Sequence, residues 1–173
     1  MFNSRTYQYY KFLLRSTNKH GVHSPFVYDL ITKCFKWDCN RGRIYRTTEV
    51  QMLRSLASYF NVQTIATDGD LKRMPILIEK DYKWGDLDSI SNETDFIIIF
   101  KPKNMRALVE EVLPSLKNDV CIALVDVYRK RKSIRAWKTH QKNEDITASI
   151  DFYKISLLFK RKEQQKQHFV IRL

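Results

Sequence analysis

A dense group of basic residues in the C-terminal quarter is the part of this sequence with the clearest chemical potential. The group comprises Arg129, Lys130, Arg131, Lys132, Arg135 and Lys138. Adjacent cations repel one another unless an anion neutralises them, so their density favours a nucleic acid or another polyanion as partner. Tyr128, Trp137 and Tyr153 lie near the cations in sequence, and aromatic rings among cations are typical of base-stacking surfaces. The alternative interpretation is a solvated, charged helix that serves solubility.

A short acidic turn, Asp68-Gly69-Asp70, follows a run of β-branched residues. Backbone amides in such a turn could approach a ligand carboxylate, which makes Asp68 and Gly69 candidate ligand-binding residues. The alternative is a plain turn after a strand, because Asp and Gly tolerate positive φ. The residue types by themselves favour the plain turn.

Two histidines and two cysteines near the N-terminus invite comparison with a metal site. They are His20, His23, Cys34 and Cys39. Zinc sites usually use tighter pairs such as C-x2-C, and a predicted helix end separates the two cysteines. We therefore predict no metal site, and we interpret His23, just before Ser24, as a residue that ties a loop to a helix. Nucleophilic catalysis is not predicted either, since no G-x-S-x-G or phosphate-loop motif is present.

The composition narrows the possible classes of protein. The net charge of +12 is concentrated in residues 129–173, which carry +9. Four glycines in 173 residues fall well below the usual share of about 7%, which disfavours a glycine-rich phosphate loop. The longest apolar runs, 96–100 and 120–125, are far shorter than the roughly 18 residues of a membrane span. Three unpatterned cysteines suit a reducing compartment, so we expect a cytoplasmic protein.

The spacing of apolar residues predicts three helices in the first third of the chain. They cover residues 4–16, 24–37 and 47–60. The second has the strongest start signal, because Ser24 can cap the helix and Pro25 fits its first turn. Residues 1–60 are therefore predicted to form an N-terminal helical segment that packs on the remainder.

Beyond residue 60, short apolar runs predict strands that alternate with helices. Predicted strands cover 63–67, 75–78, 96–100, 120–127, 146–153, 155–159 and 168–173, and predicted helices cover 105–116 and 133–140. The continuously apolar strands are typical of a parallel sheet covered on both faces. This order predicts an α/β three-layer sandwich in a single domain, with its core at 61–173. Its sheet is expected to be mainly parallel and Rossmann-like, with antiparallel C-terminal strands.

Two stretches of the chain carry a recognisable pattern. One is HGVHSPFVYDLITK at residues 20–33; the other is ITASIDFYKISLLFKRKEQQKQHFVIRL at 146–173, preceded by Ala136-Trp137. They resemble a group of bacterial class I S-adenosylmethionine-dependent methyltransferases. The resemblance implies the same type of sheet, with S-adenosylmethionine at the carboxyl ends of the first strands. It also implies that His20 or His23 faces the methyl acceptor.

Most of the cofactor-binding residues of that family are replaced in this chain. An acid normally ends the first strand, whereas Thr67 stands there, with Asp68 and Gly69 directly after it. Phe100 stands where a later strand should end in an acid, and of a further acidic pair only Asp126 remains. Asp68, Gly69 and Asp126 are therefore the expected remnants of a cofactor site.

The chain also has little room for the adenosine-binding half of that fold. Only 27 residues lie between Thr67 and Asp95, whereas a single βαβ unit takes about 30. We therefore expect a degenerate, non-catalytic relative without a cofactor, with an interaction or scaffold role and a homodimer or a rebuilt edge covering its exposed strand. Two alternatives remain: an active S-adenosylmethionine-dependent methyltransferase with an atypical pocket, and a nucleic-acid-binding module that uses residues 129–138.

Overall fold

The structure of the chain, a computed structural model, describes residues 4–35, 49–69 and 82–173. Some sequence predictions fall outside these ranges. They are the strand at 75–78, the helix boundaries beyond Phe35 and before Glu49, and the positions of Cys39 and Asp70.

Within the described residues, seven strands form one sheet in the order β2-β1-β3-β4-β6-β5-β7. The strands are β1 (Thr64–Thr67), β2 (Lys83–Gly85), β3 (Phe96–Ile99), β4 (Cys121–Val125), β5 (Ala148–Asp151), β6 (Ile155–Phe159) and β7 (Gln167–Val170). Strand β6 pairs antiparallel with β4 and β5, and the other pairs are parallel. The predicted α/β fold, with a mainly parallel sheet and an antiparallel C-terminal pair, is confirmed.

Helices cover both faces of this sheet. The α-helices of the described ranges are α1 (Ser4–Arg15), α2 (Pro25–Asp29), α3 (Glu49–Tyr59), α4 (Pro102–Val112) and α5 (Arg131–Lys142). Helices α2 and α3 pack with Phe96 and Ile98 on one face, whereas α4 and α5 pack with Ile97 and Ile99 on the other. Successive residues of a strand point to opposite faces, so all four residues of β3 are buried between two helical layers.

Local sequence explains where several elements begin and end. Ser24 Oγ accepts a hydrogen bond from Val27 N (3.4 Å), and Pro25 occupies the first turn of α2. The helix then continues into a π turn, Leu30–Cys34. Helix α4 begins at Pro102, three residues before the predicted start, because proline is well suited to a first helical turn. The sequence did not predict β2, since three residues around Trp84 form no apolar run.

Strand β7 lies at one edge of the sheet, and the N-terminal part of the chain covers some of it. Thr17 N donates a hydrogen bond to Val170 O (2.9 Å), and Arg172 N donates one to Thr17 O (3.0 Å). This pairing shortens the row of unpaired backbone groups that an edge strand presents. The homodimer expected from an exposed edge stays a prediction.

None of the helices in the described ranges combines the length and apolarity of a membrane-spanning segment.

Candidate functional site

Asp68 lies at the carboxyl edge of the sheet, where open α/β sheets usually bind ligands. Its Oδ1 atom accepts a hydrogen bond from Phe100 N (2.7 Å). Its Oδ2 atom accepts from Lys101 N (3.0 Å) and from Asn104 Nδ2 (2.9 Å). The donors belong to the end of β3 and the start of α4, so the carboxylate fastens β1 to the beginning of that helix.

Gly69 lies against the aromatic ring of Phe100. A Cβ atom placed on Gly69 would be 2.6 Å from the ring carbons Cδ2 and Cε2, much closer than the roughly 3.5 Å at which carbon atoms pack. Gly69 N also donates a hydrogen bond to Thr67 Oγ1 (3.0 Å), and that hydroxyl donates to Ile98 O (2.8 Å). The glycine therefore makes room for a side chain of the protein itself.

Asp126 follows β4 and adopts a left-handed backbone conformation, with φ 56° and ψ 46°. Its Oδ1 atom accepts a hydrogen bond from Arg5 Nη2 at 3.0 Å, which forms a partly exposed ion pair. Its backbone N donates to Lys154 O (2.8 Å). Asp126 thus ties α1 to the end of β4, whereas Asp68 serves a different part of the fold.

Four aromatic side chains hold α1 over the same edge of the sheet. The ring centroid of Tyr153 lies 4.9 Å from Tyr9, 5.4 Å from Phe12 and 5.0 Å from Tyr128. The Tyr153 hydroxyl donates a hydrogen bond to Arg5 O (2.9 Å). Each such aromatic pair contributes about 0.5–1.5 kcal/mol beyond its burial, so the chain's own first helix is firmly placed at the end of β4.

Asp151, at the end of β5, is a buried acid. In the sequence it figured only as one residue of the stretch 146–173 that resembles the methyltransferases. The Tyr128 hydroxyl donates a short hydrogen bond to Asp151 Oδ2, and Tyr153 N donates to Oδ1 (2.9 Å). Burial raises the pKa of Asp151, although these hydrogen bonds oppose the rise. Burial and the adjacent carboxylate also raise the pKa of Tyr128, so its phenol stays protonated and donates. The sequence signal that could have identified Asp151 as a buried acid is its position between the apolar residues Ile150 and Phe152.

His23 lies at the opposite, amino edge of the sheet. It lines a pocket of about 290 Å³ together with Arg161 and Gln164, among others. Gln164 Nε2 donates a hydrogen bond to Ser24 Oγ (3.3 Å), and Gln164 lies in the turn between β6 and β7. Because β6 runs against its neighbours, that turn lies away from the carboxyl ends that carry Asp68. The structure therefore does not bring His23 together with Asp68.

His20 is exposed in a short 3-10 turn, Lys19–Gly21. Its backbone N donates a hydrogen bond to the side chain of Asn18 (3.0 Å). No group of three His, Cys, Asp or Glu side chains in the described ranges could hold a metal ion. Burial raises the pKa of Cys34 to about 12, which leaves little thiolate at neutral pH.

A basic groove lies between α4 and α5, on the face of the sheet remote from α2 and α3. We call it the α4–α5 groove; its volume is about 680 Å³. It is lined by Lys103, Arg106, Lys132, Arg135, Ala136, Lys138 and Thr139. Five of these seven residues are cations, and none of the described lining residues is acidic.

The sequence pattern of α5 explains why its cations face outward. Ser133, Ala136, Trp137 and His140 are buried on one side of the helix. The six basic residues singled out from the sequence, from Arg129 to Lys138, are all exposed. His140 Nε2 also forms a short hydrogen bond with Met105 O, which ties α5 to α4. The groove is thus a fixed feature of two packed helices.

The electrostatics of the helix start add to the positive potential. Helix α5 has no acidic residue in its first turn and no side-chain cap, and Arg131 and Lys132 stand there instead. A helix N-terminus carries a partial positive charge, so cations there are unfavourable unless an anion is near. The α4–α5 groove can therefore neutralise a multiply charged anion.

Two groove cations, Lys103 and Arg106, were missed by sequence reasoning. They are three residues apart on α4 and so lie on one helix face. That spacing was visible in the sequence, but only the packing of α4 beside α5 places them opposite Arg135 and Lys138.

Two of the three aromatic residues near the basic run are buried. Trp137 is 3% exposed and Tyr128 is 7% exposed. Tyr128 stacks on Tyr153 at the carboxyl edge of the sheet. Trp137 and Tyr128 are therefore not available for base stacking, because the apolar face of α5 packs its tryptophan in the core.

No protein-family model and no curated protein matches the sequence. Among solved structures, a structural genomics protein from Corynebacterium glutamicum resembles the chain with a TM-score of 0.45 and 10% identity. The similarity covers 79% of this chain and 96% of that protein.

Proposed function

We propose that this protein is a non-catalytic binding domain whose ligand is a polyanion held in the α4–α5 groove. The observation that carries the proposal is the convergence of five cations from two helices on one groove of about 680 Å³. Exposed cations placed together cost repulsion, which a polyanion relieves while it releases its own counterions. Helix α5 adds the partial positive charge of its uncapped start.

Titration with fluorescein-labelled heparin tests polyanion binding. We expect binding at low salt that weakens steeply as salt rises. A variant with Lys103→Gln, Arg135→Gln and Lys138→Gln should bind at least about tenfold more weakly, because three groove charges are lost. The matched control replaces Lys11, Lys19 and Lys83 with glutamine. These lysines lie outside the groove lining, so this variant should bind heparin like the wild type. Absent binding at low salt, or an equal loss in both variants, would overturn the proposal.

The carboxyl edge supports the view that the chain is a degenerate relative of class I S-adenosylmethionine-dependent methyltransferases. The resemblance of residues 20–33 and 146–173 supports the relationship. The loss of cofactor binding is supported by Phe100, which fills the space beside Gly69, and by the structural hydrogen bonds of Asp68. The residues that the structure describes at this edge, up to Gly69 and from residue 82 onward, do not fit an adenosyl ligand.

Calorimetric titration with S-adenosylmethionine tests this second point. We expect no saturable heat, which corresponds to a dissociation constant above about 1 mM. An active class I methyltransferase titrated under the same conditions serves as the positive control. Micromolar binding would instead support the alternative of an active enzyme with an atypical pocket.

A further inference from the structure

The exposed side of α5 carries a straight row of cations. Arg131, Arg135, Lys138 and Lys142 are spaced at four, three and four residues, and all are exposed. This spacing keeps them on one face of the helix, along about 16 Å of its axis. Because α5 is anchored through the buried Trp137, the helix backbone that carries the row is held in place before a ligand arrives.

A second group of cations stands on the other wall of the groove. Lys103 and Arg106 line the wall formed by α4, while Lys132 and two members of the row, Arg135 and Lys138, line the wall formed by α5. Cations on two helices that are packed together match a ligand whose charges are themselves arranged in two rows. Duplex nucleic acid is such a ligand, with one phosphate charge per roughly 1.7 Å of its axis on two strands.

The surroundings of the groove disfavour recognition of a single strand. Proteins that bind single strands combine cations with aromatic rings on which bases stack, each worth about 1–3 kcal/mol. None of the described lining residues is aromatic, and the nearby Trp137 is buried. A flexible single strand would therefore lose conformational entropy on binding and gain only phosphate contacts in return, without base stacking.

From these two features, and resting on the proposed polyanion function, we infer that the ligand of the α4–α5 groove is duplex nucleic acid bound through its phosphate backbone. DNA and RNA duplexes share this chemistry. Binding by phosphate contacts positions a protein without reading sequence, so duplexes of different sequence should bind alike.

Fluorescence anisotropy tests the inference with a labelled DNA duplex, an RNA duplex and the single strands of each, all of the same length. We expect at least one duplex to bind about tenfold more tightly than its single strands. The logarithm of affinity should fall with the logarithm of salt at a slope of about −0.9 for each phosphate contacted. The variant lacking Lys103, Arg135 and Lys138 should show a slope less steep by about 3.

The outcomes separate the inference from the proposal on which it rests. Single strands that bind as tightly as duplexes, or heparin binding without nucleic-acid binding, would overturn the inference and leave polyanion binding intact. No binding to any polyanion would overturn both. A slope unchanged in the groove variant would place duplex binding elsewhere and so contradict the inference. Thermal unfolding of the variant, whose changes are confined to exposed cations, verifies that it is folded.

Discussion

Asp68→Ala is expected to lower the free energy of unfolding by about 3 kcal/mol. The carboxylate accepts three hydrogen bonds, from the backbone of Phe100 and Lys101 and from the side chain of Asn104. Alanine would remove all of them and leave the first turn of α4 without its acceptor. Urea denaturation followed by circular dichroism measures the loss.

Two controls give the Asp68 result its meaning. Asp68→Asn keeps one carbonyl oxygen and should lose about half as much stability. Asp88→Ala removes an equal charge from an exposed residue and should change stability by less than about 0.5 kcal/mol. If Asp68→Ala were as stable as Asp88→Ala, the carboxylate would not be structural, and a ligand-binding role for Asp68 would return.

Tyr128→Phe is expected to cost about 2 kcal/mol at neutral pH, because a buried carboxylate loses a hydrogen-bond donor. Tyr128 donates to Asp151, which is 1% exposed. Phenylalanine keeps the ring and its stacking on Tyr153, so the loss reports the hydrogen bond. Among the described residues, Tyr153 N and Ser156 Oγ also donate to Asp151, and they compensate only in part.

The effect of Tyr128→Phe should depend on pH. Burial raises the pKa of Asp151 in the folded state above its unfolded value, so the contribution of this carboxyl to stability falls as pH rises between the two values. Losing the Tyr128 donor raises the folded pKa further and makes that fall larger. The variant should therefore differ least from the wild type below about pH 4, and the difference should grow as pH rises through the folded pKa of Asp151.

Urea denaturation of the wild type and of Tyr128→Phe at a series of pH values from below about 4 upward measures this dependence. Tyr28→Phe, at an exposed tyrosine, is the matched control and should be neutral at each pH. A difference between the wild type and Tyr128→Phe that stayed constant with pH would show that the hydrogen bond to ionised Asp151 is not its cause.

The sheet was largely predictable because its central strands are short, continuously apolar runs. Residues 96–100 and 120–127 could be buried only between two layers, and β3 and β4 lie within them. Strand β2 was not predicted because it has only three residues, and Lys83 and Gly85 among them are not typical of strands. It forms a strand because it pairs with β1. Its local sequence carries no strand signal.

The two candidate sites differ in how far the sequence could describe them. The basic run from Arg129 to Lys138 is a local property, and each of its cations is exposed, as charged side chains usually are. Lys103 and Arg106 join the groove only because α4 packs beside α5, some thirty residues away in sequence. No local sequence pattern encodes that packing. The same holds for Phe100, whose ring meets Gly69 only because β1 and β3 are neighbours.

The sequence by itself therefore determined the alternation of helices and strands, the excess of positive charge and the absence of a glycine-rich loop. Only the tertiary structure decided that Asp68 and Asp126 form hydrogen bonds within the protein and that Trp137 faces inward. Only the structure also decided that cations from two helices share a groove. The physical reason is that hydrophobicity and charge are properties of single residues, whereas the burial and the partner of each side chain depend on which elements pack side by side.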